Sequence, residues 1–310
     1  MEVIKLRYPF DQTLIPDRPS VLAMGFFDGV HRGHQAVLQR AAAQAQVHQV
    51  PLAVLTYDKF PGLVYESFPG RFQYLTPLDQ KLAQLERLGV EIAYVVSFTS
   101  RLSQLSPQQF VDECLMALHP VEVVAGFDHT YGDKAVATMA NLPQYAAGRF
   151  AVNVVEQLSA TKQKVSSTAI RQALDQGDLA MVNDYLGRPY TTPGTIVHGF
   201  ARGRTIGFPT ANVQWAVDQR LPAIGVYAVR LKVGETWYPG MASVGHNVTF
   251  GDDNQKTIEV NLFDFHDQIY GEHVVVEWIA HLRGEVKFDG VDELITQLQQ
   301  DEQTAREILK

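Results

Sequence analysis

Met24-Gly-Phe-Phe-Asp-Gly-Val-His-Arg-Gly-His34 follows an apolar run, Val21-Leu-Ala-Met24, and leads into a pattern that puts Val37, Leu38, Ala41, Ala42 and Ala45 on one helical face. The stretch reads as strand, glycine turn and helix start. The first N–H groups of a helix have no internal partner and the helix dipole is positive there, so such a turn offers an anion site. His31 and His34 add two imidazoles able to donate to phosphate oxygens, and Gly25, Gly29 and Gly33 let backbone approach a ligand closely. The alternative is a tight turn with one capping histidine.

Working outward, residues 20–185 alternate between short apolar runs and helical patterns. Strands are expected at 21–24, 52–56, 92–96, 121–125 and 152–155. Helices are expected at 34–48, around Leu78, Leu82 and Leu85, and from the Ser106-Pro107 cap to Leu118. That alternation predicts a parallel sheet covered on both faces, with ligands beyond the carboxyl ends of its strands. After Leu186-Gly-Arg-Pro-Tyr190 the pattern becomes short alternating segments at 194–198, 225–233, 257–263 and 273–279, and then a helix at 291–298. This predicts an antiparallel barrel closed by a C-terminal helix. The expected domains are residues 1–185 and 186–310.

Composition bounds the function. The chain has 310 residues, 46% of them hydrophobic, and a net charge of −8 with no long basic cluster, which argues against a nucleic-acid partner. No apolar run reaches membrane-span length, and the first residues lack signal-peptide order. The one cysteine, Cys114, shares helical spacing with Phe110, Val111, Leu115 and Leu118; it reads as a core thiol, and a cytoplasmic location is expected. Nothing in the pattern fixes an oligomeric state.

Three further runs of the first domain carry oxygen donors or charge. Thr56-Tyr-Asp58 ends a strand; Ala125-Gly-Phe-Asp-His-Thr-Tyr-Gly132 follows another; Val165-Ser-Ser-Thr-Ala-Ile-Arg171 gathers cap hydroxyls and an arginine at a helix start. With the histidine turn, these resemble a nucleotidyltransferase domain of Rossmann-like α/β fold, in the branch formed by the bifunctional riboflavin kinase/FAD synthetases of bacteria. The resemblance implies that His31, His34 and Arg171 stabilise phosphates during adenylyl transfer. It gives Gly25, Phe27, Asp28, Gly29, Gly33, Ser166, Ser167 and Thr168 to ATP, and Asp58, Asp128 and Tyr131 to the flavin. Phe26 stands where that family often has Asn, and Val136-Ala-Thr-Met139 stands where it often has a Gly-Asp pair.

In the second domain, Gly194-Thr-Ile-Val-His-Gly-Phe-Ala-Arg-Gly-Arg-Thr-Ile-Gly-Phe-Pro-Thr-Ala-Asn212 is dense in glycine, with Arg202 and Arg204 adding charge. Thr257-Ile-Glu-Val-Asn261 turns Glu259 away from Ile258 and Val260; by itself this is an outward strand carboxylate. These runs resemble the riboflavin kinase domain. The resemblance implies that Gly203, Arg204, Gly207 and Thr210 bind ATP, that Thr210 and Asn212 hold Mg2+, that Glu259 is the base for the riboflavin hydroxyl, and that Arg283 lies over the flavin. Val248 replaces the family's usual proline, and Thr249 is kept. The implied activity converts riboflavin to FMN with ATP, then FMN to FAD with ATP, releasing pyrophosphate. The alternatives are a kinase with weakened or lost adenylyltransferase activity and a flavin-binding regulator without turnover.

Overall fold

The structure is a computed structural model; residues 1–67, 70–156, 165–199, 202–246 and 256–310 are described. Val248 and Thr249 lie outside the described residues, as does the side chain of Arg202. Two compact units form, Met1–Ser166 and Ser167–Lys310.

The first unit is built on β1 (Glu2–Leu6), β2 (Ser20–Met24), α1 (Arg32–His48), β3 (Leu52–Tyr57), the short α2 (Gly62–Tyr65), α3 (Leu78–Arg87), β4 (Ile92–Val96), the short α4 (Ser100–Ser103) and α5 (Pro107–Gln109), β5 (Pro120–Gly126), α6 (Leu142–Ala146) and β6 (Ala151–Val155). The six strands are parallel in the order β1-β4-β3-β2-β5-β6. Strands β2, β3 and β4 are buried along their whole length, as expected where helices cover both faces. The chain leaves β2 in one direction for β3 and β4, then returns to its other side for β5. The crevice beyond the carboxyl ends of β2 and β5 is therefore a topological switch point, the usual ligand site of such sheets.

One strand and one helix of the first unit bear most on the sequence expectation. Strand β1 was not expected: it is a five-residue edge strand with mixed polarity, and it forms by pairing with β4, some ninety positions away. The helix expected from Ser106 to Leu118 opens with the expected cap, a reciprocal one with Gln109, but its middle is a π-helical turn, Phe110–Leu115. Cys114 is buried there, and burial pushes its thiol up to about 12.

The second unit comprises α7 (Ser167–Gln176), α8 (Leu179–Leu186), β7 (Tyr190–Val197), β8 (Ala211–Trp215), β9 (Gly225–Val233), β10 (Thr236–His246), β11 (Lys256–Leu262), β12 (His273–Arg283) and α9 (Val291–Leu309). The strands close into an antiparallel barrel in the order β10-β11-β8-β7-β12-β9. Trp278 is fully buried, and its indole N–H donates to Thr192 Oγ1 at 2.9 Å, so the polar handle is satisfied.

The compact units divide nineteen residues before the expected domain boundary at 185/186, because α7 and α8 pack with the barrel. Asn183 Nδ2 donates to the Trp278 carbonyl at 3.0 Å, and Asn183 Oδ1 accepts from Tyr190 N at 2.8 Å. Arg220 pairs with Asp175 through both carboxylate oxygens, and Ala223 N donates to the Leu174 carbonyl. Helical periodicity reports that a helix has an apolar face; it does not report which sheet that face covers.

Candidate active sites

In the first unit the β2–α1 turn has an unusual backbone. Phe27, Gly29 and Val30 have φ of 57°, 89° and 44°. For a β-branched residue such as Val30 this is a costly region, of the kind kept where surrounding structure enforces it. Enforcement comes from Asp28, whose buried carboxylate accepts from Leu75 N (3.0 Å) and Thr76 N (3.0 Å), while Thr76 Oγ1 accepts from Gly29 N at 2.8 Å. Asp28 thus anchors the turn to the segment before α3. A Cβ on Gly25 would meet the Phe27 ring at 2.9 Å, and one on Gly33 the His31 ring at 3.1 Å, so both positions need the smallest residue.

His31 is the N-cap of α1, and its Nδ1 accepts from His34 N at 3.3 Å. Accepting at Nδ1 assigns the ring proton to Nε2. The His34 ring stacks on His31 with centroids 3.6 Å apart, and its edge meets Phe27 at 5.3 Å. Burial, then the charges of His31, Lys81 and His129, holds His34 well below the usual imidazole range. His34 Nδ1 is buried and has no hydrogen-bond partner among the described residues.

His129 was not singled out from sequence. It sits just past β5, across the switch point, and its Nε2 is likewise buried without a partner. Burial brings its pKa down to about 4. The signal lay beside Asp128, in a run read only for Asp128 and Tyr131. Asp128 is exposed; Tyr131 is buried, stacks on Phe110 at 5.5 Å, and keeps a buried hydroxyl with no partner. Asp58 ends β3 and accepts from Phe98 N at 3.0 Å.

These two histidines give a stability prediction. The unfolded chain takes up their protons near 6.5, whereas folded His129 does so near 4 and folded His34 well below 6.5. Between those values the unfolded state binds more protons, so stability falls as pH drops. Thermal unfolding of the first unit should therefore shift to lower temperature from pH 7 to pH 5, and less so in His129→Phe. An unchanged pH dependence in that variant would exclude His129 as a source.

Of the residues in the 165–171 run, Ser166 closes the first unit, whereas Ser167, Thr168 and Arg171 lie on α7 of the second; Thr168 is exposed and Arg171 half-buried.

In the second unit, Thr210 Oγ1 donates to Glu259 Oε2 at 3.2 Å, and Glu259 stands opposite Asn212 in the β11–β8 register. Alternation holds as expected: Ile258 and Val260 are buried while Glu259 is half-buried. Glu259 lines a cavity of about 310 Å3 walled by Phe208, Met241, Phe288, Leu294 and Leu298. A second cavity, of about 340 Å3, is lined by Arg204, His266 and Tyr270, and Thr210 borders both. Arg204 donates to the Tyr270 hydroxyl at 3.1 Å. The glycine loop is tight: a Cβ on Gly203 would lie 2.1 Å from the Phe208 carbonyl, and Gly207 takes φ 85°. Arg283 also lines the first cavity, with its guanidinium fixed on Asp301 of α9 at 2.7–3.0 Å.

Thr210, Asn212 and Glu259 offer hydroxyl, amide and carboxylate oxygens, a hard donor set that fits Mg2+. Among the described residues no group of three or more His, Cys, Asp or Glu could hold a metal ion.

The family model for FAD synthetase matches residues 15–169, and that for riboflavin kinase matches residues 186–309. A Listeria monocytogenes bifunctional riboflavin kinase/FMN adenylyltransferase is 48% identical over 99% of this chain and 98% of its own. A Bacillus subtilis protein of the same name is 40% identical over 98% and 97%. A crystal structure described as a macrolide-efflux protein from Streptococcus pneumoniae superposes with a TM-score of 0.90 at 37% identity, covering 98% of this chain and 99% of that one. Among the described residues no helix is long and apolar enough to cross a membrane.

Proposed function

Because the chain belongs to the bifunctional riboflavin kinase/FMN adenylyltransferases, and so forms FMN from riboflavin and FAD from FMN with ATP, we propose that each activity has its own residues, adenylyl transfer at the β2–α1 turn and phosphorylation at Thr210 and Glu259. Both family matches favour this over a kinase that has lost adenylyl transfer and over a regulator without turnover.

The observation that carries the kinase assignment is Thr210, which borders both cavities and donates to Glu259 in the first. The apolar cavity suits a flavin ring, and the one with Arg204 and Tyr270 suits a nucleotide. Glu259, one hydrogen bond from the shared Thr210, takes the proton of the riboflavin 5′-hydroxyl as the hydroxyl oxygen attacks the γ-phosphorus of ATP and ADP leaves. Mg2+ held by Thr210 and Asn212 would neutralise phosphate charge. Arg283, tied to Asp301, fixes the cavity wall.

Adenylyl transfer needs no enzyme nucleophile. An FMN phosphate oxygen attacks the α-phosphorus of ATP and pyrophosphate leaves. The protein aligns two anions and stabilises charge with donors set in advance: His31 Nε2–H, His34 and the first N–H groups of α1. On the resemblance, Ser166, Ser167, Thr168 and Arg171 hold ATP phosphates in this reaction, and Asp58, Asp128 and Tyr131 serve the flavin. A cytoplasmic location fits the ATP dependence and a chain with a single, buried cysteine, Cys114.

The test is a fragment. Residues 167–310 should fold and phosphorylate riboflavin, whereas 186–310 should be much less stable. The shorter piece loses Leu179, Val182 and Tyr185, buried on α8, at roughly 1.5–3 kcal/mol per apolar side chain, together with both Asn183 hydrogen bonds. A folded 167–310 that makes no FMN would overturn the assignment.

A further inference from the structure

Lys81 is buried, at 3% exposure, in the first turns of α3. Its Nζ donates at 3.0 Å to each of the Phe26 carbonyl, Thr56 Oγ1 and the Tyr57 carbonyl, and lies 4.5 Å from the centre of the Phe26 ring. All three ammonium protons are used, and every acceptor is neutral. Among the described residues no carboxylate stands within ion-pairing distance. Asp28 and Asp58 are the anions that act on it, and both carboxylates are engaged by backbone N–H groups of Leu75, Thr76 and Phe98. A buried cation without a contacting counter-ion is costly, and its presence calls for a return.

The return lies in what the ammonium holds. Phe26 begins the turn that carries His31 and His34; Thr56 and Tyr57 end the neighbouring strand. Lys81 therefore ties the carboxyl ends of β2 and β3 together under the histidine turn, and its charge reaches His34. We propose that Lys81 is a positioning residue for adenylyl transfer, bracing the Phe26–His34 turn and supplying a buried positive charge that the phosphates of a bound nucleotide neutralise. This rests on the histidine turn being the adenylyl-transfer site.

Burial brings Lys81 down to about 8. The titratable groups facing it are Asp28 from the turn, Asp58 from the end of β3 and His34 from α1. Raising the pH through 8 removes the charge and one of the three donated hydrogen bonds. Bound phosphate favours the charged form, so the loss appears at lower pH in kcat/KM than in kcat.

The experiment uses the full chain and supplied FMN with Mg-ATP. It follows FAD formation from pH 6 to 10 in the parent and in Lys81→Met. The parent should lose kcat/KM above about pH 8. Lys81→Met should fall at least about tenfold at pH 7 and lose that limb. Riboflavin phosphorylation in Lys81→Met should match the parent's. A parent profile flat across pH 8–9, or a Lys81→Met rate within threefold of the parent, would each overturn the proposal. The parent profile decides even if Lys81→Met fails to fold. Loss of FAD formation in His34→Ala beside an active Lys81→Met would reject Lys81 alone; an active His34→Ala would reject the site itself.

Discussion

In a Glu259→Gln protein, FMN formation should fall by roughly a hundred- to ten-thousandfold, the usual cost of losing a general base, while adenylylation of supplied FMN continues at the parent rate. Glutamine keeps the size of the side chain, and its carbonyl can still accept the Thr210 hydroxyl bond. It cannot take a proton from the riboflavin 5′-hydroxyl at neutral pH. The base acts mainly in the transition state, so binding of riboflavin and ATP should change far less than turnover. A kcat at saturating substrate, measured beside a binding titration, separates the two. A kcat within a few fold of the parent would make Glu259 an ordinary strand carboxylate that caps Thr210.

The complementary result is expected at the turn after β2. His34→Ala should lower FAD formation about a hundredfold or more, the typical cost of removing one donor set in advance for the transition state, with FMN formation untouched. His31→Ala should do the same and also lower stability by about 1 kcal/mol, because His31 caps α1. His34 is thus the cleaner probe. FAD synthesis at the parent rate in either variant would contradict the assignment.

The two variants test positions that the sequence made legible for a physical reason. An apolar run, three glycines and an amphipathic pattern specify strand, turn and helix locally, and period-two alternation at 257–261 separates Glu259 from its buried neighbours. Partners fixed across long separations were not legible in that way. β1 exists only as the partner of β4, and the affiliation of α7 and α8 with the barrel rests on contacts such as Asn183 with Trp278. Asp28, assigned to ATP by resemblance, also anchors the turn from within, through partners far along the chain. Lys81 and His129 lay within reach. Lys81 stands three residues after Leu78 and four before Leu85, on the face that had to be buried, which marks a buried cation from spacing alone.

The division into two independent sets of residues meets its most direct test in a mixture. Glu259→Gln and His34→Ala proteins, each alone, are given riboflavin and Mg-ATP, then combined, with flavins separated by chromatography over time. Alone, the first should leave riboflavin unchanged and the second should accumulate FMN. Combined, they should form FAD after a lag in which FMN rises and is then consumed. A mixture that makes no FAD while FMN accumulates, or a single variant that forms FAD from riboflavin at the parent rate, would contradict the division.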